Sequence, residues 1–195
     1  MKVKVSTIAF SKNPYLVDYL LNEFPGAVVN TVGVRMNDEK FVEYFSDADA
    51  AIIGLELITP AILDQLPGLK MIAKYGVGLD NVDLQACNER NIRIGWTGGV
   101  NKRSVAEMTL GFMIGLCRNL YSTSNQLKQL IWNKNGGVQL SGKTVGIVGL
   151  GNIGKEVVQL LKPFQCNILV NDVIDISEYA SQNNLKSVSK EELIT

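Results

Sequence analysis

The chain has 195 residues, 46% of them apolar and 19% charged, with 19 basic and 19 acidic side chains and no histidine. That balance excludes a disordered chain and argues against a dedicated nucleic-acid binder, which needs a basic surplus to neutralise phosphates. Without imidazole there is no Ser-His-Asp or Cys-His site and no histidine-ligated zinc, so any general base must be a carboxylate, Lys, Tyr or Cys.

Strand and helix signals alternate from the start. Val3 to Phe10 is β-branched and apolar and reads as a strand, with no secretory leader before it. Tyr15 to Phe24 has helical spacing and stops at Pro25-Gly26, and Val28 to Val32 reads as a second strand. Asn37 is a candidate cap for a helix over Glu39 to Phe45. Ala50 to Leu55 suits a central parallel strand buried on both faces. Thr59-Pro60 reads as a cap followed by proline in the first helical position. Strand Leu69 to Lys74, helix Val82 to Arg90 and strand Ile92 to Trp96 complete a doubly wound α/β pattern.

The pattern changes near residue 98. Lys102 to Leu120 is one long, mostly apolar helix that must be covered by other layers or by a partner chain. Its most apolar stretch, Met108 to Cys117, is half of the roughly 20 residues a membrane span requires, so no membrane association is expected. A second helical pattern, Ser122 to Trp132, precedes the Gly136-Gly137 break. Strand Thr144 to Val148, helix Asn152 to Leu161 and strand Asn167 to Asn171 then form a βαβ unit. A weaker helix from Ile176 and a short strand at Lys186 to Val188 follow, and Ser189 to Glu192 is a capping box. Cys87, Cys117 and Cys166 form no C-x-x-C pair and read as structural thiols, and no metal site is expected. A cytoplasmic location fits.

Charge is unevenly placed. Residues 98–164 carry 8 basic against 2 acidic groups, a net of +6, whereas residues 1–97 carry 9 against 12. This is either a solvated basic surface or a field favouring anionic ligands.

Three segments carry chemistry. Gly149-Leu150-Gly151-Asn152-Ile153-Gly154 is a G-x-G-x-x-G between a strand and a helix, with Asp172 lying 18 positions beyond Gly154 at the end of the next strand. Gly149 permits the turn, Gly151 lets the backbone approach a pyrophosphate, and Gly154 lets helix pack on sheet. The pyrophosphate then sits on the free amides at the start of the helix, at Asn152 and Ile153. Asp172 suits the ribose hydroxyls and repels a 2′-phosphate, so NAD is expected over NADP. In Lys74-Tyr75-Gly76-Val77-Gly78-Leu79-Asp80-Asn81-Val82-Asp83, glycines at a strand end release amides that suit a small carboxylate, or the segment is only a helix start capped by Asp80 or Asn81. Thr97-Gly98-Gly99 through Glu107 reads as a hinge with Asn101 or Ser104 as cap.

In this order the three segments resemble the NAD-dependent D-2-hydroxyacid dehydrogenases, most closely the phosphoglycerate dehydrogenase branch, along essentially the whole chain. The resemblance implies a flavodoxin-like substrate domain at residues 1–98. It further implies a partial Rossmann domain at residues 99–195, beginning with the long inter-domain helix and holding the adenosine-binding part. It assigns Val77, Gly78 and Asn101 to the substrate and Gly149, Gly151, Asn152, Ile153, Gly154, Asp172 and Ser104 to NAD. It also implies a homodimer through the region of helix 102–120 and a small anionic 2-hydroxyacid or 2-ketoacid as substrate. Gly98 stands where the family usually has proline, and Asn171 where an aromatic is commoner. The family's catalytic Arg, Glu and His have no counterpart before Thr195, so no catalytic residue is assigned and these 195 residues alone are expected not to turn over. The competing expectation is a non-catalytic NAD- or ADP-binding or assembly module, either a shortened paralogue or a fragment.

Overall fold

The computed structural model describes residues 1–134 and 136–194. Its contacts divide the chain into two compact units, Met1–Gly98 and Gly99–Thr195. Among the described residues, no helix is long and apolar enough to cross a membrane.

The first unit is a parallel five-stranded sheet in the order β2-β1-β3-β4-β5. Its strands are β1 (Val3–Val5), β2 (Val28–Val29), β3 (Ala50–Ile53), β4 (Met71–Lys74) and β5 (Arg93–Gly95). That is the doubly wound, flavodoxin-like order, with neighbours reversing direction of progression at β1 and β3. Alternation along the strands feeds two cores. On one face Val3, Val5 and Ala50 pack with Phe10 and Leu20. On the other, Ala51, Ile53 and Ile72 meet Phe41, Phe45, Leu63, Leu66 and Cys87.

Local signals set the helices between these strands. Helices α1 (Ile8–Ser11), α2 (Pro14–Glu23), α3 (Asp38–Phe45), α4 (Pro60–Leu63) and α5 (Leu84–Glu89) join the sheet strands. Asn37 caps α3 by accepting from the Lys40 amide, and Thr59 caps α4 by accepting from Ile62. Two expectations are corrected. The strand expected through Phe10 ends at Val5, and Ile8–Ser11 turns helical; a short apolar run does not distinguish the two states. Helix α5 is capped neither by Asp80 nor by Asn81 but by Asp83, whose carboxylate accepts from the Ala86 amide at 2.8 Å. Asn81 is committed to cross-loop bonds instead.

The second unit begins with helices α6 (Lys102–Cys117) and α7 (Leu120–Lys128). A parallel three-stranded sheet follows in the order β6-β7-β8, formed by Thr144–Val148, Asn167–Asn171 and Lys186–Ser187. Helix α8 (Asn152–Leu161) crosses from β6 to β7, α9 (Ser177–Gln182) from β7 to β8, and α10 (Lys190–Ile194) follows β8. Ala106 of α6 is fully buried against a core that includes Val157, Val158, Leu161 and Val170. Leu110, Met113, Ile114 and Cys117 pack against the same core, but an opposite stripe of α6 does not: Met108, Phe112 and Leu116, spaced at four residues, are 56%, 52% and 69% exposed. Strand β6 lies at the edge of its sheet.

Candidate functional site

Two clusters of backbone amides form at strand ends, one in each unit. In the first unit, β4 ends at Lys74 and the chain turns through Gly76, whose φ of +152° suits glycine. Among the described residues, the amides of Gly76, Val77 and Gly78 donate to nothing. The loop is held open from behind. Trp96 Nε1 donates to the Val77 carbonyl at 3.0 Å. Asn81 Nδ2 donates to the carbonyls of Gly54 and Glu56, and Asn81 Oδ1 accepts from Lys74 Nζ at 2.6 Å. Lys74 Nζ also donates to the Gly54 carbonyl. Burial lowers the Lys74 pKa, opposed by the charges of Asp80 and Glu56. Lys74 lies beside Gly76 and the Asp80 carboxylate beside Gly78, and the row of free amides between them is a nest that suits a small anion.

Glu56 is not singled out in the sequence, and within the Lys74 to Asp83 segment Asn81 reads only as a cap candidate and Lys74 is given no role. Glu56 is only 8% exposed, and its carboxylate accepts from the Gly54 amide at 2.6 Å. The flanking Leu55 and Leu57 disguise it as part of an apolar run, although an acid inside such a run is itself a signal.

In the second unit the glycine loop separates into three distinct requirements. Gly149 has φ +91°, which other residues rarely adopt. At Gly154 a Cβ would lie 2.1 Å from the Gly149 carbonyl oxygen, so helix and loop close only around a hydrogen. At Gly151 a Cβ would meet nothing within 4 Å, and the backbone there has negative φ. The fold therefore does not need glycine at position 151. Open space beside the orphan amides that begin α8, at Asn152 and Ile153, is the cradle a pyrophosphate requires.

Asp172, at the end of β7, closes this loop. Its carboxylate accepts from the Leu150 amide at 2.6 Å and from the amides of Val173 and Ile174 at 2.7 and 3.3 Å. Those backbone bonds, Leu150 first, hold its pKa below the ordinary carboxylate value. The segment before α6 lies close by, since a Cβ on Gly99 would sit 2.7 Å from Asn152 Nδ2. Asn101 occupies the cap position of α6 without a side-chain capping bond. Among the described residues, neither the Asn101 side chain nor the Ser104 hydroxyl has a hydrogen-bond partner. The expected basic field is weakened here. Lys102 pairs with Glu156 at 3.7 Å, and Arg103 pairs with Glu107 and Glu156 at 2.7 and 3.2 Å. The two acids of residues 98–164 are thus both spent on its first two cations.

The chain is similar to known proteins. The family model for the D-isomer specific 2-hydroxyacid dehydrogenase catalytic domain matches residues 7–193. D-3-phosphoglycerate dehydrogenase of Methanocaldococcus jannaschii is 33% identical over 161 residues, which cover 80% of this chain and 30% of that protein. The TT0316 protein of Thermus thermophilus superposes with a TM-score of 0.85 at 27% identity, covering 99% of this chain and 61% of the other. An NAD-dependent formate dehydrogenase of Staphylococcus aureus, solved in complex with NAD, gives a TM-score of 0.69 at 27% identity, covering 100% of this chain and 61% of that one. The chain therefore spans less than two thirds of the length of these relatives.

Proposed function

The chain belongs to the D-isomer specific 2-hydroxyacid dehydrogenase family, and on that premise we propose that it binds NAD and orients a small D-2-hydroxyacid for interconversion with its 2-ketoacid. The observation that carries the reading is the open space at Gly151, which the fold leaves beside unfilled amides without any packing reason. When bound, NAD supplies the hydride acceptor. Asn152 and Ile153 offer their amides to its pyrophosphate, Ser104 in the first turn of α6 offers its hydroxyl, and Asp172 faces the adenosine ribose. A 2′-phosphate beside that carboxylate is repelled, so NAD is favoured over NADP. The NAD-bound formate dehydrogenase relative supports this choice.

On the substrate side, Val77 and Gly78 hold the carboxylate through their amides, with Lys74 as the counter-charge. A 3-phosphoglycerate-like acid is favoured by the phosphoglycerate dehydrogenase relative. Holding the acid in a reactive pose is the contribution of these residues. Moving the hydroxyl proton, a task typically worth about 10²–10⁴-fold, has no imidazole to serve it among these 195 residues. We therefore expect binding without turnover from this polypeptide by itself. The same absence favours the second reading, a non-catalytic nucleotide-binding or assembly module.

The exposed stripe Met108-Phe112-Leu116 supports a homodimer through α6. Three free cysteines fit the reducing cytoplasm. The test is calorimetric and enzymatic together: NAD binds the 195-residue polypeptide, and D-3-phosphoglycerate gives no NADH. Failure of NAD to bind would sink the reading. NADH formation dependent on the acid would overturn the expectation of no turnover.

A further inference from the structure

The carboxyl edge of the first sheet continues well beyond the carboxylate loop. A cavity of about 310 Å³ begins at Tyr75, next to that loop, and is walled by Thr7, Gly54, Glu56 and Arg35. A second cavity, of about 400 Å³, lies on the other side of Arg35 and is walled by Asn30, Lys40, Glu43 and Tyr44. Arg35 is common to both. One arm of its guanidinium donates to the Leu55 carbonyl, and among the described residues no carboxylate pairs with it. Its remaining N–H groups are left to recognise an oxyanion.

Each cavity also holds a polar group that the fold leaves unfilled. Thr7 is 8% exposed, and its hydroxyl has no hydrogen-bond partner among the described residues. Asn30 is 4% exposed; its amide nitrogen serves the carbonyls of Ser6 and Val34 at 2.9 and 3.0 Å, which fixes the amide's orientation. Its Oδ1 is buried with no donor. Buried acceptors are rarely left in this state, since the loss is about 1–3 kcal/mol each. The near cavity thus offers a hydroxyl and the Glu56 carboxylate to hydroxyl-bearing groups. In the far one Arg35 and Lys40 outweigh the single acid Glu43.

We propose that this groove is a subsite for the tail of the substrate, selecting D-2-hydroxyacids longer than three carbons that carry chain hydroxyls and a terminal oxyanion. The inference rests on the carboxylate being held at Val77 and Gly78. Its reach follows from the two cations: Arg35 lines both cavities, and Lys40 lines only the second, away from Tyr75. Hydroxyls along the chain meet Thr7 and Glu56, and the terminal oxyanion meets Arg35 and Lys40.

Amide and side-chain nuclear magnetic resonance on the full chain separates the two ends. The probes are D-lactate, 3-phospho-D-glycerate and 6-phospho-D-gluconate. D-Lactate is expected to shift only the Val77 and Gly78 amides. 6-Phospho-D-gluconate is expected to shift these together with Arg35 Nε and Asn30 Nδ2, and to bind more tightly than 3-phospho-D-glycerate. Arg35→Ala, with its fold verified from the same spectrum, should weaken 6-phospho-D-gluconate about tenfold and leave D-lactate unchanged. Shifts at Val77 and Gly78 alone with every probe would overturn the tail subsite while leaving the carboxylate reading intact. Shifts at Arg35 and Asn30 without the loop would show an anion site there and overturn the carboxylate reading, and with it the assignment of the groove to the substrate's tail. No shift with any probe would overturn both.

Discussion

The carboxylate of Asp172 accepts a hydrogen bond from the backbone amide of Leu150 at 2.6 Å, across 22 residues of chain. Leu150 sits between the first two glycines of the fingerprint, so the acid proposed to face the ribose also holds the glycine loop in shape. On that proposal, binding and loop geometry are coupled through one side chain.

Asp172→Ala removes both contributions. NAD affinity is expected to fall by at least about tenfold, the scale of one lost charge-assisted hydrogen bond. The preference over NADP should disappear with the charge. Calorimetric titration of both nucleotides against both proteins measures this, and an unchanged preference would exclude Asp172 as the ribose residue.

The two later glycines of the loop should fail in different ways. Gly154→Ala places a methyl 2.1 Å from the Gly149 oxygen and should destabilise the fold by about 1–3 kcal/mol, as overpacked sites do. Gly151→Ala meets nothing in the chain and should melt within a few degrees of the parent, yet lose most of its NAD affinity. Thermal melts paired with titrations distinguish them. A Gly151→Ala protein that binds NAD normally would remove the argument for the cradle.

At the amino end of the first unit, hydrogen bonds from Lys2 and Lys4 hold the Asp47 pKa at about 2, against 3.8 ordinarily. A depressed carboxyl contributes stability that is present above its unfolded pKa and is lost as pH falls through its folded one. Asp47→Asn should therefore melt below the parent at pH 5 to 7, with the gap closing between about pH 4 and pH 2. A gap that persists at pH 2 would show that the ion pair is not its source.

The apolar stripe of α6 is expected to be the contact between two copies of the chain. Phe112 is 52% exposed at its centre, and Phe112→Glu should convert a dimer to a monomer in analytical ultracentrifugation without lowering NAD affinity. A parent chain that sediments as a monomer at micromolar concentration would refute the contact.

Where a structural decision is made by residues within one turn of each other, it is legible in the chain. Thr59 before Pro60, Asn37 before α3 and Ser189 three residues before Glu192 all cap as their spacing requires. Gly149 to Gly154 between an apolar strand and a helix likewise announces its geometry. Errors arose where the deciding partner was remote or the local signal ambiguous. Ile8–Ser11 belongs to an apolar run that suits either state, and the choice of Asp83 over Asn81 as cap depends on loop 54–56 claiming the Asn81 amide.

The sequence by itself determined the α/β alternation, the phosphate-loop glycines and the absence of any imidazole, because each is a matter of residue type and short spacing. Only the tertiary structure decided that Asp172 reaches Leu150, that Glu156 neutralises Lys102 and Arg103, and that Thr7, Arg35 and Asn30 line adjoining cavities. Asp172 lies 22 residues from Leu150, Glu156 lies 54 from Lys102 and 53 from Arg103, and Thr7 lies 28 from Arg35. Parallel strands joined by crossover helices bring their carboxyl ends to one edge, and the register of the sheet, not the spacing in the chain, then selects which side chains meet.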